Sequence, residues 1–247
     1  MPAFSITNSQ KSEQSPEDAL NQLLQSKSET LQPLIRKLSH TVQVLNNCLT
    51  EFGETGLSLS FNGGKDCTLL LFIYCAILSR FNKLNSITRP IKCLYITCID
   101  PFTEVDEFVD YCAQRYNLDV MKLLGSMKDG LKVYLNSNPK VKAIIIGTRK
   151  GDPFSEKMIT QQPTDGDWPY VIRIHPILDW TYKDVWMAIR ELNIPYCTLY
   201  DIGYTSLGSI SNTLPNPLLI NPNTPSGYDP AYLLNDESAE RNGRVKK

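Results

Sequence analysis

The chain is poor in the residues that most often do chemistry near neutral pH. Of its 247 residues only two are histidines, His40 and His175. That scarcity argues against a His-rich metal centre. The seven cysteines (Cys48, Cys67, Cys75, Cys93, Cys98, Cys112 and Cys197) are odd in number and include no Cys-x-x-Cys pair. Most sit inside apolar runs, which predicts buried free thiols in a reducing compartment rather than a disulfide framework. An excess of either charge is missing too, with 25 Lys and Arg against 26 Asp and Glu. The formal net charge of −1 gives no general attraction for nucleic acid or anionic membrane, so any anion site must be local. No apolar run is long enough to span a bilayer. The start, MPAFSITNSQKSEQSPED, has neither an apolar core nor an Arg-rich amphipathic pattern. A cytoplasmic protein is therefore expected.

What is present is an ordinary globular composition, 42% hydrophobic and 21% charged, sufficient for a core without disulfides or metals. Residues 1–14 are polar and read as a flexible N-terminus. Ser15-Pro16-Glu17-Asp18 has the order of a helix start: a Ser cap, Pro at the first position, then acids at the positive dipole end. Leu31, Leu34, Ile35, Leu38, Val42, Leu45, Leu49 and Phe52 form a helical stripe, with Gly53 as its stop.

Strands and helices then alternate. The pattern predicts a strand at 57–61, a helix at 66–80, a strand at 91–97 and a helix from Thr103, with Thr103 and Asp106 as a capping box. A strand at 119–124, a helix near 126–136 and a strand at 141–147 follow. Near-continuous apolar strands alternating with helices imply a mostly parallel, twisted sheet covered on both faces. Beyond residue 149 the character changes: ten of the sixteen prolines fall in 151–247. One strand (171–178) and one helix (181–193, capped by Thr181 and Asp184) are expected there, among ordered loops. The whole of 15–247 reads as a single domain.

The chemistry points to one turn. In SLSFNGGKDCTLLLFIYC, starting at Ser58, a short strand meets a long helix through Asn62, Gly63, Gly64, Lys65 and Asp66. Unpaired N–H groups and the positive end of the helix dipole meet there. Glycines allow close backbone approach, and the assembly suits a phosphate chain. Asp66 fits an anion site only if a Mg²⁺ lies between it and the phosphates. The alternative is a plain strand-to-helix turn. The spacing matches neither Gly-x-x-x-x-Gly-Lys-Ser/Thr nor Gly-x-Gly-x-x-Gly.

SFNGGKDC (60–67) resembles the PP-loop of the ATP-pyrophosphatase superfamily, usually Ser-x-Ser-Gly-Gly-Lys-Asp-Ser. Asn62 and Cys67 replace two serines of that pattern. They resemble instead the eukaryotic FAD synthetases (FMN adenylyltransferases), the PAPS-reductase-like branch. Four further blocks follow in order. IIIGTRKGDPFS (144–155) resembles the family's Ile-Gly-x-Arg-x-Thr-Asp-Pro, with Gly151 where Thr is usual. PTDGDWPYVIRIHPILDWTYKDVW (163–186), PYCTLYDIGYTSLGSISNTLPNPLL (195–219) and the ending YLLNDESAERNGRVKK resemble the rest.

The resemblance implies an adenine nucleotide α-hydrolase-like α/β fold and transfer of AMP from ATP to FMN with release of pyrophosphate. It implies catalytic roles for Asn62, Lys65 and Asp66, with Asp66 on Mg²⁺. ATP would meet Ser60, Phe61, Gly63, Gly64 and Asp100, the last with a plain turn before Pro101 as its alternative. FMN would meet Arg149, Asp152, Asp165, Trp168, Arg241 and Arg244, supplied by the 149–247 region. Core packing is the alternative for Trp168, and solvated surface charge for Arg241 and Arg244. Arg173, Asp179 and Asp201 are weaker candidates. ATP and FMN are the implied partners of a monomer that passes FAD to apo-flavoproteins, with neither nucleic acid nor membrane. Two other readings compete. A phosphoadenylyl-sulfate reductase needs a reactive cysteine in its tail, and none follows Cys197. A non-catalytic nucleotide or flavin sensor would bind without turnover.

Overall fold

The computed structural model describes residues 14–85 and 89–245. The polar segment expected over 1–14 lies outside the described residues except for Gln14. The N-terminal helices obey their local signals. α1 (Pro16–Leu24) is capped by the Ser15 side chain, which accepts from Asp18 N–H. α2 (Gln32–Phe52) buries Leu34, Ile35, Leu38, Leu45 and Leu49 and stops at Gly53, whose φ is 67°.

The sheet follows: β1 (Leu57–Ser60), α3 (Lys65–Asn85), β2 (Ile91–Thr97), α4 (Thr103–Arg115), β3 (Leu118–Leu124), α5 (Met127–Ser137) and β4 (Ala143–Ile145). β5 (Gln161–Pro163), β6 (Ile172–Ile174) and α6 (Tyr182–Glu191) complete it. Six strands lie in the order β3-β2-β1-β4-β6-β5. All pair in parallel except β5 with β6. Alternation along the strands divides the core. Leu57, Leu59, Cys93, Ala143 and Ile145 face the cluster that also holds α2, α3, α4 and α6 side chains. Leu94 and Ile144 face α5 through Leu131 and Tyr134. Ser58, on that second face, is satisfied by the Tyr134 hydroxyl at 2.6 Å. The mostly parallel α/β sheet with helices on both faces is as the alternation implied.

The order places β1 between β2 and β4. The chain leaves β1 toward one side and returns to the other, so the crevice between the carboxyl ends of β1 and β4 is a switch point where such sheets bind ligands.

Three expectations are corrected. Thr103 does not cap α4: the cap is Phe102, without a side-chain bond. Asp106 is engaged instead by the Tyr95 hydroxyl at 3.0 Å and by Lys122 at 2.6 Å. The strand expected over 141–147 narrows to Ala143–Ile145, though backbone bonds from Lys142 N–H to Gly56 and from Ile146 N–H to Ile174 continue its course. The strand expected over 171–178 is only Ile172–Ile174, because Pro176 has no N–H to extend a ladder. β5 was not foreseen; its polar sequence ends in Pro163, which an edge strand tolerates. Past β6 the expected Thr181–Asp184 capping box forms, and the remainder is short 3-10 turns.

Candidate active site

Phe61 is fully buried and donates its N–H to Leu94 O at 3.0 Å. It anchors the turn and leaves Asn62 at the surface of a cavity of about 480 Å³. Asn62 Oδ1 accepts from Gly64 N–H at 3.1 Å and from the Cys67 thiol at 3.0 Å. With its oxygen held, the amide group of Asn62 is left as a donor. Gly63 has φ 73°, and a Cβ there would press on Val109 and Val105 at 3.2 and 3.3 Å. The turn therefore needs glycine for both conformation and space. α3 begins at Lys65, whose N–H donates to the Tyr200 hydroxyl at 2.9 Å. Burial pushes the Cys67 thiol up to about 12, so it stays protonated and serves Asn62 as a donor.

Behind the turn lies a cluster of charges. Lys65 Nζ meets Asp66 at 3.0 Å and Glu240 at 2.5 Å. Arg149, on the loop after β4, meets Asp66 at 3.0 Å, Asp152 at 3.3 Å and Glu240 at 2.6 Å. Two cations thus face three carboxylates. The cation side chains are only 3% and 4% exposed, whereas those of Asp66, Asp152 and Glu240 are 21%, 26% and 14% exposed. The acids, not the bases, are the members nearer solvent. Burial works against the charge of Arg149, but Asp66 and Glu240 outweigh it and hold its pKa above the ordinary value. Burial likewise opposes ionisation of Glu240, yet Lys65 and Arg149 keep its pKa below the usual range. At Asp152 burial wins over Arg149, and the pKa is raised.

The C-terminal segment closes the other side. Arg241 and Arg244 line the same cavity as Asn62, Gly64, Lys65, Asp66 and Asp152. Arg244 donates to Thr213 Oγ1 at 2.6 Å and Asn212 Oδ1 at 3.1 Å. Its guanidinium lies across Gly208, where an added Cβ would fall 1.4 Å from Nη1. Burial and the neighbouring Arg241 lower its pKa.

The predicted residues separate into those that converge and those that do not. Ser60, Asn62, Gly64, Lys65, Asp66, Asp152, Arg241 and Arg244 share the cavity. Gly63 and Phe61 shape the turn behind it, and Arg149 holds the carboxylates from within. Asp100 is exposed outside the lining, its carbonyl accepting from Ile210 N–H at 2.9 Å. Asp165 pairs with Arg173 at 3.0 Å, and Trp168 is 38% exposed; neither borders the cavity. Asp179 pairs with Lys150 at 2.5 Å, and Asp201 accepts from the Tyr196 hydroxyl at 2.9 Å. Sequence reasoning missed Glu240 and Tyr200. Each lay inside a quoted block, but nothing in the spacing announced a contact with Lys65 across 175 or 135 positions.

Among the described residues no three His, Cys, Asp or Glu side chains converge to hold a metal. A Mg²⁺ shared with phosphates needs only one or two carboxylates. Asp66 suits that: it borders the cavity, and its buried Oδ1 makes no formed hydrogen bond, only a charge contact with Arg149. The residues fit an ion that arrives with a nucleotide. Among the described residues no helix is long and apolar enough to cross a membrane.

Fold and site together define an α/β protein with a polar cavity at its sheet's switch point whose turn has the chemistry to suit a phosphorylated ligand. The comparisons with known proteins narrow that class. The probable FAD synthase of Schizosaccharomyces pombe is 40% identical over 220 residues, 88% of this chain and 82% of that one. The probable FAD synthase of Caenorhabditis elegans is 37% identical, and the matched region is 42% of that longer protein. Candida glabrata FMN adenylyltransferase, solved with FMN and an ATP analogue, superposes with a TM-score of 0.86 at 28% identity, covering 94% of this chain and 95% of that one. The Phosphoadenosine phosphosulfate reductase domain model matches residues 127–215. A Candida auris phosphoadenylyl-sulfate reductase, at 18% identity and a TM-score of 0.52, shares the fold. The chain belongs to the FAD synthase family.

Proposed function

We propose that this protein forms FAD by transferring AMP from ATP to the phosphate of FMN. The observation that carries the reading is the convergence, in one cavity of about 480 Å³, of the Asn62–Asp66 turn and the Arg241–Arg244 segment, in a chain of the FAD synthase family. One element suits the phosphates of a nucleotide and the other a second anion.

The nucleophile needs no strong base. A phosphate monoester has its second pKa near ~6, so the FMN phosphate is largely ionised at neutral pH. Its oxygen attacks the α-phosphorus, the bond to the bridging oxygen breaks, and pyrophosphate leaves with the electron pair. The obstacle is repulsion between anions, so catalysis is charge neutralisation and in-line placement. Asn62 presents its amide donors toward the α-phosphate, and the turn's backbone receives the phosphate chain. Arg241 and Arg244 bind the FMN phosphate. Lys65 and Arg149 are buried among carboxylates and act by holding Asp66, Asp152 and Glu240 in place. When bound, Mg²⁺ would sit on Asp66 and lower the charge on the phosphates. The flavin ring extends toward Asp165 and Trp168, outside the cavity as it stands.

The 149–247 region supplies the FMN side of a single domain that works as a monomer. The free, mostly buried cysteines suit a reducing cytoplasm. Incubation with FMN, ATP and Mg²⁺, with FAD and pyrophosphate measured together, tests the reading. Equimolar products are expected. Binding of both substrates without either product would favour the flavin-binding sensor.

A further inference from the structure

The C-terminal segment is fastened in two directions. Toward its own loop, Thr205 Oγ1 donates to Glu240 O at 2.6 Å and Asn216 Nδ2 to Ala239 O at 2.8 Å. Arg244 adds its bonds to Thr213 and Asn212. Toward the Asn62–Asp66 turn, the link runs through the carboxylate of Glu240. It accepts from Lys65 Nζ at 2.5 Å and from Arg149 Nη2 at 2.6 and 2.8 Å. Lys65 belongs to α3 and Arg149 to the loop after β4, so one side chain ties three separate parts of the chain.

We propose that Glu240 is a positioning residue whose negative charge clasps the C-terminal segment to Lys65 and Arg149, and so sets Arg241 and Arg244 over the cavity. The role rests on the reading of those arginines as ligands of the FMN phosphate. Charge, and not shape alone, is required by the surroundings. The Lys65 and Arg149 side chains are 3% and 4% exposed, and Glu240 is, with Asp66, one of the two carboxylates that both cations meet, so a neutral group in its place gives up charge-assisted bonds to two buried partners. Without that charge the cations fall back on Asp66 and Asp152. The segment is then held by its bonds to the 203–216 loop and, ahead of Glu240, by the Glu237 carboxylate that accepts from Tyr182 N–H at 3.0 Å, but no longer by a link to the Asn62–Asp66 turn. Arg241, the next residue, is exposed and has the most freedom to drift.

The test compares Glu240→Gln, which keeps size but replaces the charge and one acceptor oxygen with a donor amide, with Glu240→Asp, which keeps charge. FAD formation is followed with FMN and ATP varied separately. Limited trypsin digestion monitors cleavage after Arg241, and thermal unfolding checks the fold. Glu240→Gln is expected to raise KM for FMN about 10-fold or more, to move KM for ATP less, and to speed cleavage after Arg241. Glu240→Asp is expected to recover most of both losses. A wild-type KM for FMN and wild-type cleavage in Glu240→Gln would overturn the clasp. So would a Glu240→Asp variant as impaired as Glu240→Gln, which would make the residue a matter of fit. Wild-type protein that forms no FAD would count against the functional reading instead, and the digestion would still judge the clasp.

Discussion

The segment from Leu57 to Ile145 and the segment from Arg149 to Val245 share one apolar core but differ in how their backbones are ordered. The first is built on apolar periodicity: Leu57, Leu59, Cys93, Ala143 and Ile145 are 2% exposed or less, and parallel ladders join the strands. The second has three-residue strands, one capped helix and a series of 3-10 turns. Its apolar side chains, Trp186 and Tyr200 among them, join the same core, and its loops are fixed in addition by individual polar bonds, such as buried Asn216 to Thr205 and Ala239. Burial of apolar surface tolerates some variation in detail, whereas a named hydrogen bond does not. The sheet is thus a platform, and the second segment shapes the site laid on it.

The largest effects should divide along that line. Leu59→Ala in β1 is expected to cost about 2–5 kcal/mol of stability while the folded fraction still makes FAD. Asp66→Ala, a few residues later at the start of α3, is expected to cut turnover per folded molecule by about 10²–10³-fold, with a lowered unfolding midpoint because buried Lys65 and Arg149 lose a partner. Wild-type FAD formation by Asp66→Ala would remove it from the mechanism. Loss of turnover per folded molecule in Leu59→Ala would mean that platform and site are not separable.

A second effect falls on stability alone and on the second segment. His175 is 1% exposed, with neither ring nitrogen hydrogen-bonded. Burial, with Arg173 nearby, lowers its pKa from 6.5 to about 4. Below pH 6.5 the unfolded chain takes up a proton that the folded chain refuses until about pH 4. The stability that neutral His175 permits is therefore present above that window and lost as pH falls through it, about 3 kcal/mol in all. Urea denaturation of His175→Gln against wild type from pH 7 to pH 4 checks the sign. The wild-type curve should fall more steeply, and parallel curves would exclude His175 as the source.

Legibility followed the same division. Period-two and period-3.6 patterns sufficed for the sheet, the helices and the Gly-Gly turn, since each is a local consequence of side-chain placement. Beyond Arg149 the sequence showed the Thr181–Asp184 cap, which is local, but not β5, which exists only because β6 offers an edge. The site was legible as far as its residues were consecutive. Asn62 and Asp66 lie together on the page, and the two C-terminal arginines were visible as a motif. Glu240 against Lys65 was invisible, because an ion pair across 175 positions leaves no periodic trace. The misread Thr103–Asp106 pair teaches the converse. A correct local spacing gave way to partners on neighbouring strands, Tyr95 and Lys122.

The smallest effect probes the end of the second segment. Removing residues 241–247 keeps Glu240 and its clasp but deletes both arginines that line the cavity. If their charge-assisted bonds to the FMN phosphate supply about 1.5–3 kcal/mol, KM for FMN should rise by about tenfold or more. KM for ATP should change less, since the Asn62–Asp66 turn is untouched. Equal weakening of both substrates would point to collapse of the segment rather than loss of its ligands. Unaltered FMN kinetics would return Arg241 and Arg244 to the surface charge that an Arg-x-x-Arg ending otherwise suggests. The deletion also separates the two functions assigned to this short stretch. With Glu240→Gln the arginines remain but are unfastened. With the truncation the fastening remains and holds nothing. If both changes weaken FMN and together weaken it no further than the truncation alone, clasp and arginines act as one device.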